Sequence, residues 1–283
     1  MTIDYRPTVC RAALLTLVAL GLIACNAAPV EHVDIDVDVA PADAADSLVQ
    51  LAEADHVAFL KSCLEHYESL PVADYTCLFL RQERLDGYLF PLQKVRVKFR
   101  AEPFSVAMAW IENPGDGDRC LYVAGDWPDR DGISQMIIRP TSGLVQMLYS
   151  SSVFRVPDHK EVMQGTRKPI TQFGFHNMLS NLISGYEQGR AADDCDEQVL
   201  GLANVAGRSC IVLQRTIADP SDASISPVTT IFIDRASLLP VLVEGHDLDG
   251  EMEFSYEFDE IELNVGLTDA DFTPKANDIA DPK

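Results

Sequence analysis

The constraint that narrows the fold most is the order in which two hydrophobic periods alternate along the chain. In "DSLVQLAEADHVAFLKSCLEHYESL", residues 46–70, Leu48, Leu51, Ala52, Asp55, Phe59, Cys63 and Tyr67 recur at mostly three- and four-residue steps. That spacing predicts one amphipathic helix, with Asp46 or Ser47 able to cap its start and Pro71 just past its end. From Asp74 the period drops to two. "DYTCLFLRQERL", a turn at Asp86-Gly87, "KVRVKFR", "EPFSVAMAWI", "CLYVAG" and a pair around Thr141–Gly143 follow without an intervening helix. After a patternless loop from Pro157 to Pro169, helical spacing returns in Phe175, Met178, Leu179, Leu182, Ile183 and Tyr186. Five strand candidates close the chain: about Gln198–Val205, Ser209–Thr216, Thr229–Asp234, Pro240–His246 and Met252–Leu263. Parallel strands would need a crossover between most neighbours. The expected architecture is therefore α+β: one large curved antiparallel sheet, an incomplete barrel, with helices packed on one face.

One strand in this order is oily on both sides. Val95, Val97 and Phe99 alternate with Lys94, Arg96, Lys98 and Arg100, as a half-buried strand requires. In the next strand, Val106, Met108 and Trp110 take one face, but Ala107, Ala109 and Ile111 take the other. Such a strand lies inside the sheet with something against each face. Ala107 and Ala109 are small enough to admit a helix closely; the converse assignment fits equally well. Val95, Val97, Phe99, Val106, Met108 and Trp110 are the candidates for the wall of a concavity, or for its packed core. In "EMEFSYEFDEIEL" the alternation changes parity after Glu260, which predicts a β-bulge near Asp259-Glu260 that helps curve the sheet.

Charge and address bound the function. The 283 residues carry 22 Lys and Arg against 44 Asp and Glu, a net charge of −22. Nucleic acid is excluded as a partner, since phosphate binding needs positive surface. The stripe Lys94, Arg96, Lys98, Arg100 is the exception, either a solvated strand face or a site for an anionic partner. Arg6 and Arg11 precede about 13 apolar residues, too few to span a bilayer, which needs roughly 20. The segment ends in "LIAC", which resembles the lipobox of bacterial lipoprotein signal peptides; an ordinary secretory peptide cut near "CNAAP" is the alternative. The resemblance implies lipid on Cys25. With Asn26 next, it favours anchoring at the outer membrane, facing the periplasm or the surface. The expected layout is a signal peptide over 1–25, an acidic disordered tether over 26–46, one domain over 47–275 and a disordered tail over 276–283. Export permits disulfides, and spacing pairs Cys63 with Cys77 and Cys195 with Cys210, leaving Cys120 free.

No catalytic constellation emerges. Ser150–Ser152 lack a nucleophile elbow, the six histidines are scattered, and "QER" at Gln82–Arg84 offers a carboxylate with no visible partner. "DWPDRDG" and "DLDGE" lack calcium-loop spacing and read as turns. No metal or cofactor is expected. "DYTCLFLRQERLDGYLFPLQKVRVKFRAEPFSVAMAW", with "CLYVAG" and "RKPITQFG", resembles the bacterial domain of unknown function 1571 family, which implies no activity. The run from Thr229 to Pro274, with Asn264, Leu267 and Phe272 in an N-x-x-L-x-x-x-x-F pattern, is similar to the end of LolA/LolB-like lipoprotein carriers. That resemblance implies an incomplete barrel with helices across its mouth and a hollow for acyl chains. The expectation is a non-enzymatic, membrane-anchored lipoprotein that binds an acyl chain, a lipoprotein or an apolar partner. A structural or assembly lipoprotein with a self-filled core is the alternative.

Overall fold

The computed structural model describes residues 47–141, 152–220 and 225–280. Cys25, the signal peptide and the acidic tether lie outside the described residues, as does the turn near Gly143. The helix expected over 46–70 is two helices, α1 (Ser47–Ala54) and α2 (His56–Ser69). Asp55 divides them. Its backbone is extended (φ −163°), and its Oδ1 accepts hydrogen bonds from the amides of Val57 (2.9 Å) and Ala58 (3.2 Å), capping α2.

Seven strands follow: β1 (Asp74–Leu85), β2 (Tyr88–Leu89), β3 (Gln93–Arg100), β4 (Ser105–Glu112), β5 (Gly117–Val123), β6 (Met136–Pro140) and β7 (Val153–Arg155). Short α3 (Lys160–Met163) interrupts the expected loop, and α4 (Phe175–Ala191) is the second amphipathic helix. The last strands are β8 (Asp196–Val205), β9 (Arg208–Thr216), β10 (Val228–Asp234), β11 (Pro240–His246) and β12 (Met252–Leu263). In space the order is β7-β6-β5-β4-β3-β1-β12-β11-β10-β9-β8, with β2 paired to β1. Every pairing is antiparallel and the sheet does not close. The first and last long strands thus meet at its centre and join two meanders. Asp86 and Gly87 both take positive φ (50° and 80°), as a tight hairpin turn requires. Thr76 pairs with Glu262 but Leu78 with Asp259, and Glu260 has φ 47°, so the bulge sits where the change of parity placed it.

The faces of β4 have different covers. Val106 packs in the main core with Val95, Val97 and Phe99, on the side of α2 and α4. Ala107, on the other side, packs with Leu121, Ile137, Phe272 and Ile279. The close neighbour that its small side chain admits is the C-terminal segment, whose Phe272 sits in a single 3-10 turn (Asp269–Phe272) rather than in one of the α-helices. This segment is tied down at several points. Asn264 Oδ1 accepts from the amide of Ala73 (2.8 Å), and the Asp74 carboxylate accepts from Gly266 (3.0 Å) and Leu267 (3.1 Å). Arg100 stacks over Phe272 (4.8 Å) and bonds Asp269 (2.6 Å). Residues 276–280, expected to be disordered, are held as well. Ile279 is buried, and the carbonyl of Asp278 accepts from Arg139 (2.8 Å). The basic stripe is likewise used internally, with Lys94 on Glu112 (2.8 Å) and Arg96 on Glu260 (2.7 Å).

The expected disulfides are not formed; the five described cysteines are free thiols. For Cys195 and Cys210 the strand register supplies the reason. Ala203 is the partner of Cys210, eight residues along from Cys195, a separation of about 25 Å at strand rise. Cys210 also packs in a different cluster, with Val212 and Phe232. Cys63 and Cys77 share the main core but are unbonded, and burial pushes both thiols up, Cys63 to about 12. For Cys195 and Cys210, short spacing in sequence did not imply adjacency, because the hairpin register sets them far apart.

Candidate functional site

The concave face of the sheet is covered at one end and open at the other. At the covered end, Tyr75 stacks on Phe99 (4.6 Å between centroids), and Phe175 of α4 lies against Tyr75 (5.0 Å) and Phe258 (5.0 Å). Gly174 opens α4 with φ 114°. A Cβ there would stand 2.9 Å from the Phe99 ring, so glycine is what allows the helix to sit so close.

Beside this packed region lies a hollow of about 830 Å³. That is within the range of small-molecule sites, roughly 300–1,000 Å³. Met108 and Trp110 line it from β4, Cys120 from β5, and Met136 and Ile138 from β6. Phe79 of β1 and Phe254 and Tyr256 of β12 form its floor; Phe173, Met178 and Leu182 meet it from the helical side. Of the six wall candidates, Met108 and Trp110 reach the hollow. Val95, Val97, Phe99 and Val106 do not: they are 0–5% exposed and belong to the packed core. All six share one face of the sheet, as cross-strand partners of β3 and β4. What separates them is the length of helix available above the sheet.

Loop residues 164–169 border the hollow and are pinned to the sheet. Arg81 donates to the carbonyl of Gly165 (2.9 Å) and to Thr166 Oγ1 (3.3 Å). Glu83 accepts from Arg81 (3.0 Å), from the amide of Arg167 (3.3 Å) and from the Tyr256 hydroxyl (2.5 Å). Arg167 also bonds Glu253 (3.3 Å), which accepts from Ser226 Oγ. Burial holds the Tyr256 phenol well above its ordinary range, with the neighbouring Glu83 carboxylate acting the same way.

Sequence reasoning placed Glu83 without a partner and did not single out Arg81 or Arg215. A signal was present. Arg81 and Glu83 continue the core parity of Tyr75, Cys77 and Phe79, and Arg215 continues that of Ile211 and Leu213. A charge at a core position of a strand is costly unless matched, and here all three line the hollow. Burial lowers the pKa of Arg215. The two expected turns hold their own backbones. Asp129 accepts from Asp131 and Ile133 (both 2.9 Å), and Asp247 accepts from Asp249 (3.0 Å) and Glu251 (2.8 Å). Among the described residues no group of three His, Cys, Asp or Glu could hold a metal, and no helix is long and apolar enough to cross a membrane.

Fold and site define a class: an open antiparallel sheet curved around an apolar hollow, with a partial layer of helices. Residues 72–280 match the family described as protein of unknown function DUF1571, and the chain belongs to that family. No curated protein matches it. Among solved structures it is similar to an uncharacterized conserved protein from Thermus thermophilus, at 11% identity over 78% of this chain and 97% of that one, TM-score 0.43. It is also similar to the lipoprotein LppX of Mycobacterium tuberculosis (14% identity, 74% and 98% covered, TM-score 0.41). A LolA superfamily protein from Nitrosomonas europaea matches at 12% identity over 77% and 98% of the two chains, TM-score 0.27. The open-sheet architecture itself rests on the strand order and register given above.

Proposed function

We propose that this chain is an exported lipoprotein that takes an acyl chain, or the apolar part of a lipoprotein or partner, into the hollow and catalyses no reaction. Lipid on Cys25 would hold it to a bacterial membrane, facing the periplasm or the surface. The observation that carries this reading is the 830 Å³ hollow, with apolar side chains on its sheet wall and its helical side. Each buried methylene is worth about 0.8 kcal/mol, so ten supply roughly 8 kcal/mol before the cost of immobilising the chain. A second reading, an assembly lipoprotein with a self-filled core, draws support from the packed end, where Val95, Val97, Phe99 and Val106 leave no room for a ligand.

The test uses a fluorescent fatty acyl probe on the full chain and its Met108→Glu variant, with folding checked by circular dichroism. Saturable uptake by the wild type and its loss in the folded variant support binding. No uptake by the wild type, or equal uptake by both, favours the assembly role. Cys25→Ser should move the protein from the membrane to the released fraction; persistence on the membrane would overturn the anchor.

A further inference from the structure

The lining of the hollow reverses the charge balance of the chain. The whole sequence has twice as many acidic as basic residues, 44 against 22. The hollow is bordered by six basic side chains, Arg81, Arg119, Arg155, Arg167, Lys168 and Arg215, against three acidic ones, Glu83, Asp116 and Glu161. Most of the arginines there are matched: Arg81 by Glu83 (3.0 Å), Arg155 by Glu161 (2.9 Å), Arg167 by Glu253 (3.3 Å), and Arg119 more loosely by Asp118 (3.8 Å).

Arg215 differs. It is 3% exposed and has no salt-bridge partner among the described residues. Its Nη2 donates to Thr229 Oγ1 (2.8 Å) and, at 3.5 Å, to the carbonyl of Ser226. Its Nε is buried without any partner. Its guanidinium carbon lies 5.3 Å from the Tyr186 ring centroid. Gly185 of α4 leaves the space it occupies, since a Cβ there would fall 2.2 Å from Nη1. Gly185, Ser226 and Thr229, which surround the guanidinium, all line the hollow. Glu197 acts on Arg215 from a distance but is itself paired directly with Arg190 (2.6 Å). A buried cation with no counter-ion in contact is destabilising, and the cost is relieved when an anion supplies the missing charge and acceptors.

We propose that Arg215 binds the anionic head of the amphiphile whose chain occupies the hollow. The group is an oxyanion, a carboxylate or a phosphate, at the end of an acyl chain. The assignment rests on the acyl-binding reading above and adds to it the polarity and place of the head group. Arginine suits the role because it keeps its charge when buried and presents several donors to one oxyanion.

The experiment measures the affinity of the full chain for oleate, oleoyl lysophosphatidate and oleyl alcohol, which share a chain and differ in the head. Wild type should prefer at least one anion to the alcohol by tenfold or more, and the tighter anion identifies the head group. In Arg215→Gln that ratio should collapse toward one. A wild type that binds the alcohol as well as both anions overturns the assignment while leaving acyl binding intact, and needs no variant. A ratio that survives in folded Arg215→Gln places the anion site elsewhere and also overturns it. A wild type that binds none of the three overturns the acyl reading and this assignment with it.

Discussion

Val97 and Met108 are cross-strand partners on the same concave face, yet Val97 is buried in the packed core while Met108 is half-buried on the hollow. The comparison extends to the regions around them. The covered end has Tyr75, Phe99, Phe175 and Phe258 in mutual ring contact. The open end has Met108, Trp110, Met136 and Ile138 around a void. Dimensions explain the difference. Eleven strands at about 4.8 Å make a sheet roughly 50 Å wide. The 17 residues of α4 reach about 25 Å, and each helix is about 10 Å across. Two helices of this size cannot roof the whole face, so identical alternation yields core in one place and cavity wall in the next.

The largest test of this contrast is truncation on each side. Phe99→Ala should cost about 3–5 kcal/mol, because it removes a ring from a packed stack. Met108→Ala should cost roughly 1 kcal/mol, because that side chain already borders a void. Urea titrations of both variants measure the difference; equal losses would mean that the hollow is filled in solution. Next in size is Gly174→Ala, which combines a positive φ with a close approach to Phe99. We expect a loss of about 1–3 kcal/mol, visible as a lower Tm. An unchanged Tm would show that α4 can lift from the packed end without penalty.

A smaller effect tests the joint between the helices. His56 of α2 is buried and bonded through Nδ1 to the Tyr186 hydroxyl of α4 (3.0 Å). Burial lowers its pKa, with Glu197 opposing that shift. The imidazole therefore stays neutral in the fold while the unfolded chain protonates near about pH 6.5. The contribution is fully present above that pH and is lost as pH falls toward the depressed folded value. Tm should decline on acidification from about pH 7, and His56→Asn should flatten that slope. The smallest effect lies on the convex side. The Arg96–Glu260 pair is exposed on both partners, and Arg96→Ala should change stability by less than about 1 kcal/mol. A larger loss would indicate that the bulge at Glu260 depends on this pair.

Much of this was legible in the residues. The switch from period two to helical spacing located α4 and its buried stripe. The parity change after Glu260 located the bulge, and the doubly apolar β4 announced covers on both faces. Other features were not legible. Nothing near Asp55 in sequence outweighs continuous helical spacing until its carboxylate is seen to cap Val57 and Ala58. The loose look of residues 276–280 gave no hint that Ile279 would fill the space beside Ala107.

The sequence by itself determined the alternation of helix and strand, the antiparallel class and which side chains share a face, because these follow from backbone periods of about 3.6 and 2.0 residues. Tertiary structure alone decided which part of the shared face became core and which became hollow, and that Arg215 would be left without a carboxylate in salt-bridge contact. Those outcomes depend on where a helix ends above a curved sheet and on which distant side chains arrive there. They are contacts between residues far apart in the chain, such as His56 with Tyr186 or Glu83 with Tyr256, that no local pattern encodes.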